Sequence, residues 1–124
     1  MATKTTESET SGLNLAVLIG EVTTPVVTRD LPNGDIASTF DITSLTRDGR
    51  LSVPVSLNDS GENVSVGAVV LVVGVVRRRF FRSGGSVASR TEVVAHHVVP
   101  VRRRAMVRRA LQGVVSNIDD LIGG

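Results

Sequence analysis

The stretch Ala68-Val69-Val70-Leu71-Val72-Val73-Gly74-Val75-Val76-Arg77-Arg78-Arg79-Phe80-Phe81-Arg82, followed by Ser83-Gly84-Gly85-Ser86, is the longest β pattern in the chain and sets its architecture. Its first half is a continuous apolar run of strand length, which reads as a strand covered on both faces. Its second half turns to Arg and Phe and must emerge into solvent. The Gly-Gly turn then reverses the chain into residues 87 to 101, completing a long hairpin. Of the 124 residues 23 are Val, and branching at Cβ suits a pleated surface better than a helix. At 41% hydrophobic and 21% charged the chain suits one globular domain, and the absence of Cys excludes a disulfide framework or a thiolate metal site.

Outward from the hairpin, the other segments are also short and strand-like. Residues 13 to 22 form an apolar run ending near Gly20, and Thr24-Pro25 permits a bend before a second stretch that reaches Leu31. The turn Pro32-Asn33-Gly34 leads into residues 35 to 45, where Ile36, Ser38, Phe40, Ile42 and Ser44 share one face. Asp48-Gly49 signals a second hairpin into residues 51 to 57, with Leu51, Val53, Val55 and Leu57 on a common face. Pro54 removes a ladder donor, which predicts an edge or a bulge there. Residues 58 to 67 leave room for a loop or one helical turn. Beyond Pro100 and Arg102-Arg103-Arg104, the residues Val107, Leu111, Val114, Ile118 and Leu121 recur at spacings of 4, 3, 4 and 3, an apolar stripe on a helix expected to pack on its own barrel or on a twin helix.

Five strands in so short a chain, the first long and bent, point to a closed barrel, because closure removes sheet edges. The expected architecture is all-β: a five-stranded OB-fold barrel over residues 13 to 101, with a C-terminal amphipathic α-helix over residues 102 to 124. Residues 1 to 12 read as a disordered leader.

The net charge of +2 conceals an asymmetry. Residues 1 to 62 carry net −5, whereas residues 63 to 124 carry +7, with ten Arg between Arg77 and Arg109. Thirteen of the fourteen basic residues are Arg, a bias toward phosphate contacts and base stacking. Clustered charge of this kind makes a surface for polyanions. Set against that reading is a solvated basic face.

Asn14 to Gly20, Arg29 with Pro32-Asn33-Gly34, Phe40, residues 67 to 76, Arg77-Arg78-Arg79, Phe81 and Thr91 to Ala95 together resemble the bacterial single-stranded DNA-binding protein (SSB) family, as a divergent paralogue. Asn14-Leu15-Ala16-Val17-Leu18-Ile19-Gly20 is similar to its opening strand, and Arg29 with Pro32-Asn33-Gly34 falls where the family has an Arg and a Pro-Asn-Gly turn. Phe40 takes the place of an apolar core residue, residues 67 to 76 resemble the Gly, strand, Gly pattern, and Arg77-Arg78-Arg79 follows where the family has Arg-x-Arg. Phe81 stands where a base-stacking Trp is common, and Thr91-Glu92-Val93-Val94-Ala95 matches the start of the last strand. The chain departs from the family in its few aromatics, in showing no Gly/Gln-rich linker or acidic tip, and in its basic helix.

By the period of two, Arg77, Arg79 and Phe81 share one face of the basic strand, while Arg78, Phe80 and Arg82 share the other. The resemblance favours the first face for nucleic acid, and Arg90, Arg29, Arg50 and Arg82 complete the candidate set. It implies sequence-independent binding of single-stranded DNA in replication, repair or recombination, as a homotetramer or homodimer, with replication or repair proteins as further partners. Two other readings stand beside it: a protein-interaction barrel, primosomal or structural, and an RNA-binding barrel. The structural alternative for Phe80 and Phe81 is that they cap the barrel or fill an oligomer interface. No phosphate loop, nucleophile elbow or paired-carboxylate motif is present, so no enzyme, metal or cofactor is expected. His96 and His97, adjacent on a strand, should point to opposite faces and so cannot share a metal. The longest apolar run, residues 64 to 76, is too short to span a bilayer, and a cytoplasmic, nucleoid-associated location is expected.

Overall fold

The decisive hairpin forms β5 (Val69–Ser83) and β6 (Ser86–Pro100) in the computed structural model, which describes residues 12 to 62 and 64 to 123. Preceding it are β1 (Ala16–Val22), β2 (Val27–Asp30), β3 (Ile36–Thr46) and β4 (Gly49–Leu57), and following it is α1 (Arg104–Gly123). The leader expected over residues 1 to 12 lies, apart from Gly12, outside the described residues.

Hydrogen bonding runs in the order β1, β5, β6, β4, β3, and Glu21 and Val22 of β1 return to Thr43 and Ile42 of β3 to close the ring. β4 and β6 pair in parallel from Val55↔Val93 to Leu57↔Ala95. β2 extends along the same strand, from Val27↔Thr39 to Asp30↔Ile36. The long bent first strand is therefore two segments laid in succession on β3, with the break near Pro25. The result is the expected closed five-stranded barrel of the OB-fold type, with one C-terminal helix. Between β4 and β5 the described residues form turns, with Val64 N–H donating to the Gly61 carbonyl, and no helix.

Alternation builds the core. Phe40 and Ile42 of β3, Val55 of β4, Val70 and Val72 of β5 and Val93 and Ala95 of β6 meet Val22 inside the barrel. Ser38 and Ser44 are buried on the same face of β3, and their hydroxyls donate to the carbonyls of Asp59 and, at 2.6 Å, Ile19, so neither is left unpaired.

Two glycines permit the closure. A Cβ on Gly20 would stand 2.8 Å from the Thr43 carbonyl oxygen, where β1 crosses β3. On Gly74 it would stand 2.0 Å from the Val94 carbonyl oxygen, beside the register shift that leaves His96 unpaired between Gly74↔Ala95 and Val73↔His97. This bulge breaks the alternation assumed for the two histidines: His96 and His97 both border the cleft under α1. Among the described residues no three His, Cys, Asp or Glu converge as metal ligands.

Pro54 sits opposite Asp41 on β3, one residue before β4 begins to pair with β6. On that side β4 is still an edge, which is where a missing N–H is tolerated.

Helix α1 lies along the outside of β5 and β6 and buries none of its residues completely. Met106, Ala110, Val114, Ile118 and Leu121 face a cleft of about 590 Å³ whose other wall includes Val73, Val75 and Val99. Of the stripe read from the spacing, Val114, Ile118 and Leu121 face this cleft, whereas Leu111 sits at the margin of that face and lines a second, shallow groove with Val115. No helix among the described residues is long and apolar enough to cross a membrane.

Candidate nucleic-acid interface

The β5–β6 ladder continues past the barrel as a two-stranded arm, because β6 loses its partner β4 at Val93 while pairing with β5 runs on to Ser83↔Ser86. Within the arm, the register sets Arg77 opposite Glu92, Arg79 opposite Arg90 and Phe81 opposite Ala88 on one face. Arg78, Phe80 and Arg82 stand opposite Thr91, Ser89 and Val87 on the other. The period-two division of the basic strand holds along its whole length.

The first face looks onto the outer side of β2, β3 and β4. Arg79, Arg90 and Glu92 border a groove of about 170 Å³ with Val27 and Arg29 of β2, Ala37 and Thr39 of β3, and Pro54 and Val55 of β4. Of the seven residues picked out from sequence, Arg29, Arg79 and Arg90 are brought to this groove, and Arg77 and Phe81 share the arm face that continues from it. Arg50 lies on the same outer face of the sheet but at the tip of the β3–β4 hairpin, opposite Leu45. Arg82 is on the reverse face of the arm, apart from the others.

Carboxylates organise the cations. Glu92 is only 3% exposed and accepts a hydrogen bond at 3.0 Å from Arg77 Nε and a second from Arg77 Nη2. Arg79 Nη1 lies 4.0 Å from its other oxygen, and Arg90 Nη2 lies 3.7 Å from Asp41 Oδ1. Arg79 and Arg90 directly opposite one another would repel; each instead turns toward an acid of the chain itself. Their opposition is therefore compensated internally and is not by itself a sign of an external anion. Arg29, Arg78 and Arg82 have no ion pair among the described residues.

Glu92 and Asp41 were missed as site residues. Glu92 was within reach of counting, because a turn centred on Gly84-Gly85 puts the seventh residue before it opposite the seventh after it. Asp41 reaches Arg90 only through the curl of the barrel, which no local pattern encodes.

The surface is open and lined by guanidinium groups, apolar side chains and one half-exposed aromatic, Phe81 at 41%. Such a surface can follow a chain of phosphates and offer a flat ring to a base. The larger cleft under α1 is mostly apolar, with Arg109 the one guanidinium on its wall, so it lacks the charge for that task.

No protein-family model matches the chain, and no curated protein matches it. Among solved structures it is similar to one described as a Plasmodium falciparum SSB complex with ssDNA, at a TM-score of 0.62 and 19% sequence identity, covering 73% of this chain and 96% of that one. At this identity the likeness is one of fold.

Proposed function

We propose that this chain is a divergent SSB-like protein that binds single-stranded DNA without sequence preference. The DNA would run across the groove of β2, β3 and β4 and along the adjoining face of the β5–β6 arm. The observation that carries this reading is convergence: Arg29, Arg79 and Arg90, far apart in sequence, meet at one groove, and Phe81 stands on the same face of the arm. Arg29 meets a phosphate without giving up a protein partner. Arg77, Arg79 and Arg90 meet the strand from positions already held by Glu92 and Asp41, which lowers the ordering cost of each contact. Phe81 stacks under a base.

With one aromatic on that face, each barrel holds DNA weakly, and self-association lets several surfaces act on one strand by effective concentration. The role proposed is binding and not catalysis, in replication, repair or recombination, in the cytoplasm. One observation favours the rival protein-interaction reading: the carboxylates neutralise part of the cationic face. Fluorescence anisotropy with oligo-dT, a duplex and an RNA of equal length separates the readings. Preferential binding of oligo-dT supports the proposal; equal or stronger binding of RNA points to the RNA barrel, and no binding to any of the three to the protein-interaction barrel.

A further inference from the structure

The outward face of α1 carries a pattern that the barrel does not use. Arg108, Leu111, Gln112, Val115, Ser116 and Asp119 line one shallow groove on the side away from the cleft, with Leu111 38% and Val115 59% exposed. Their spacings, 3, 1, 3, 1 and 3, read the same in both directions. Arg108 and Asp119 are eleven residues apart, roughly 16 Å along the axis, too far to pair within one helix. Neither has an ion pair among the described residues. The helix has no acid in its first turn and no base in its last. Its charges, Arg at the start and Asp119 and Asp120 near the end, oppose the preference of its own dipole.

We propose that this face binds the same face of a second copy of the chain, with the two helices antiparallel. A two-fold axis between Gly113 and Val114 sets Arg108 of one copy against Asp119 of the other, twice. It also lays Gln112 against Val115, and Leu111 against Ser116 beside Val115. The same axis brings Ile122, exposed near the end of one helix, over Ala105 at the start of the other. The interface is isologous, as a closed dimer requires. Each Asp119 then approaches the cationic first half of the opposite helix, so the charge pattern that is unfavourable in one helix becomes complementary in two. The DNA-binding groove lies on other strands and is left open. This proposal gives a surface to the self-association suggested above and rests on that part of the reading alone, not on DNA binding.

One helix pair buries less than a standard interface of about 1,200 to 2,000 Å², so a dimer with a dissociation constant roughly in the micromolar range is expected. Sedimentation velocity of the full chain without DNA, from about 1 to 200 µM, covers that range. The expected result is a concentration-dependent shift from 13.1 kDa toward twice that mass. Val115→Arg should abolish the shift, with an unchanged circular dichroism spectrum because the position is exposed. Arg108→Asp and Asp119→Arg should each weaken association at least about tenfold by setting like charges together, and the double exchange should restore it. A chain that stays at the monomer mass throughout overturns both the interface and the self-association. A dimer or tetramer unaffected by Val115→Arg and the charge reversals overturns the interface and leaves self-association to another surface. DNA binding by the monomer stands or falls separately.

Discussion

Glu92 faces Arg77 directly across the β5–β6 ladder, and its carboxylate is enclosed by that guanidinium and approached by Arg79. An enclosed carboxylate must be compensated or it destabilises the fold, and here its partners are two candidate phosphate ligands. On the proposed DNA-binding reading, structural order and charge for DNA are therefore set against each other at this position.

Replacing Glu92 with Gln keeps the shape and removes the charge. The variant should lose about 1 to 2 kcal/mol of stability in urea unfolding, since Arg77 keeps a neutral acceptor but not a charged one. Its affinity for oligo-dT should rise by roughly three- to tenfold at low salt, because a negative charge leaves the path of the phosphates. Loss of affinity together with stability would mean that ordering of Arg77 and Arg79 outweighs the charge.

The two neighbouring phenylalanines point to opposite faces of the arm and give an internal control. Phe81→Ala should cost about 1 to 3 kcal/mol in oligo-dT binding, the amount associated with one stacked base. Phe80, 66% exposed on the reverse face, should tolerate Ala with little change in the same titration. Equal losses would show that the strand wraps both sides of the arm; a loss at Phe80 alone would reverse the assigned face.

Arg79 and Arg82 make the corresponding pair for charge. Arg79→Ala should weaken oligo-dT binding several-fold and reduce the slope of log affinity against log salt by about 0.7, one phosphate contact. Arg82→Ala should leave that slope close to the wild-type value, because it projects away from the groove shared by Arg29 and Arg90. Anisotropy titrations at four salt concentrations compare the two directly.

Gly74 tests the barrel independently of DNA. Its added methyl group would overlap the Val94 carbonyl oxygen, a backbone atom that cannot rotate away. Gly74→Ala should therefore destabilise the fold by about 3 kcal/mol or more, measured by thermal or urea unfolding. Gly113, with open space where its Cβ would be, should be stabilised by Ala by up to about 1 kcal/mol through helix propensity.

Much of this architecture is legible in local patterns. The alternation in residues 36 to 44 identifies the inner face of β3, and the Gly84-Gly85 turn defines the arm and, by counting, its register. The division of the Arg and Phe residues between two faces follows from the same count. What is not legible depends on curvature or on a single misplaced residue. The bulge at His96 upsets the alternation on β6 with no mark in its own sequence, although Gly74 across the ladder is the residue that makes room for it. The orientation of α1 is hidden because its apolar residues spread beyond one stripe: Val114 and Ile118 turn to the barrel, Val115 turns away, and Leu111 lies at the margin between them. Arg29 could be placed on the site by resemblance, but its meeting with Arg79 and Arg90 arises only when the barrel closes.

Arg29, Arg79 and Arg90 are proposed to form one cationic track for single-stranded DNA. The decisive measurement is the salt dependence of oligo-dT binding in the wild type and in the variant with all three replaced by Ala, after both are shown to be folded. The wild type should bind at low salt, and the triple variant should have a shallower slope by about 2, three contacts at about 0.7 each. A wild type that does not bind oligo-dT at low salt, or equal slopes in the two proteins, would contradict that assignment.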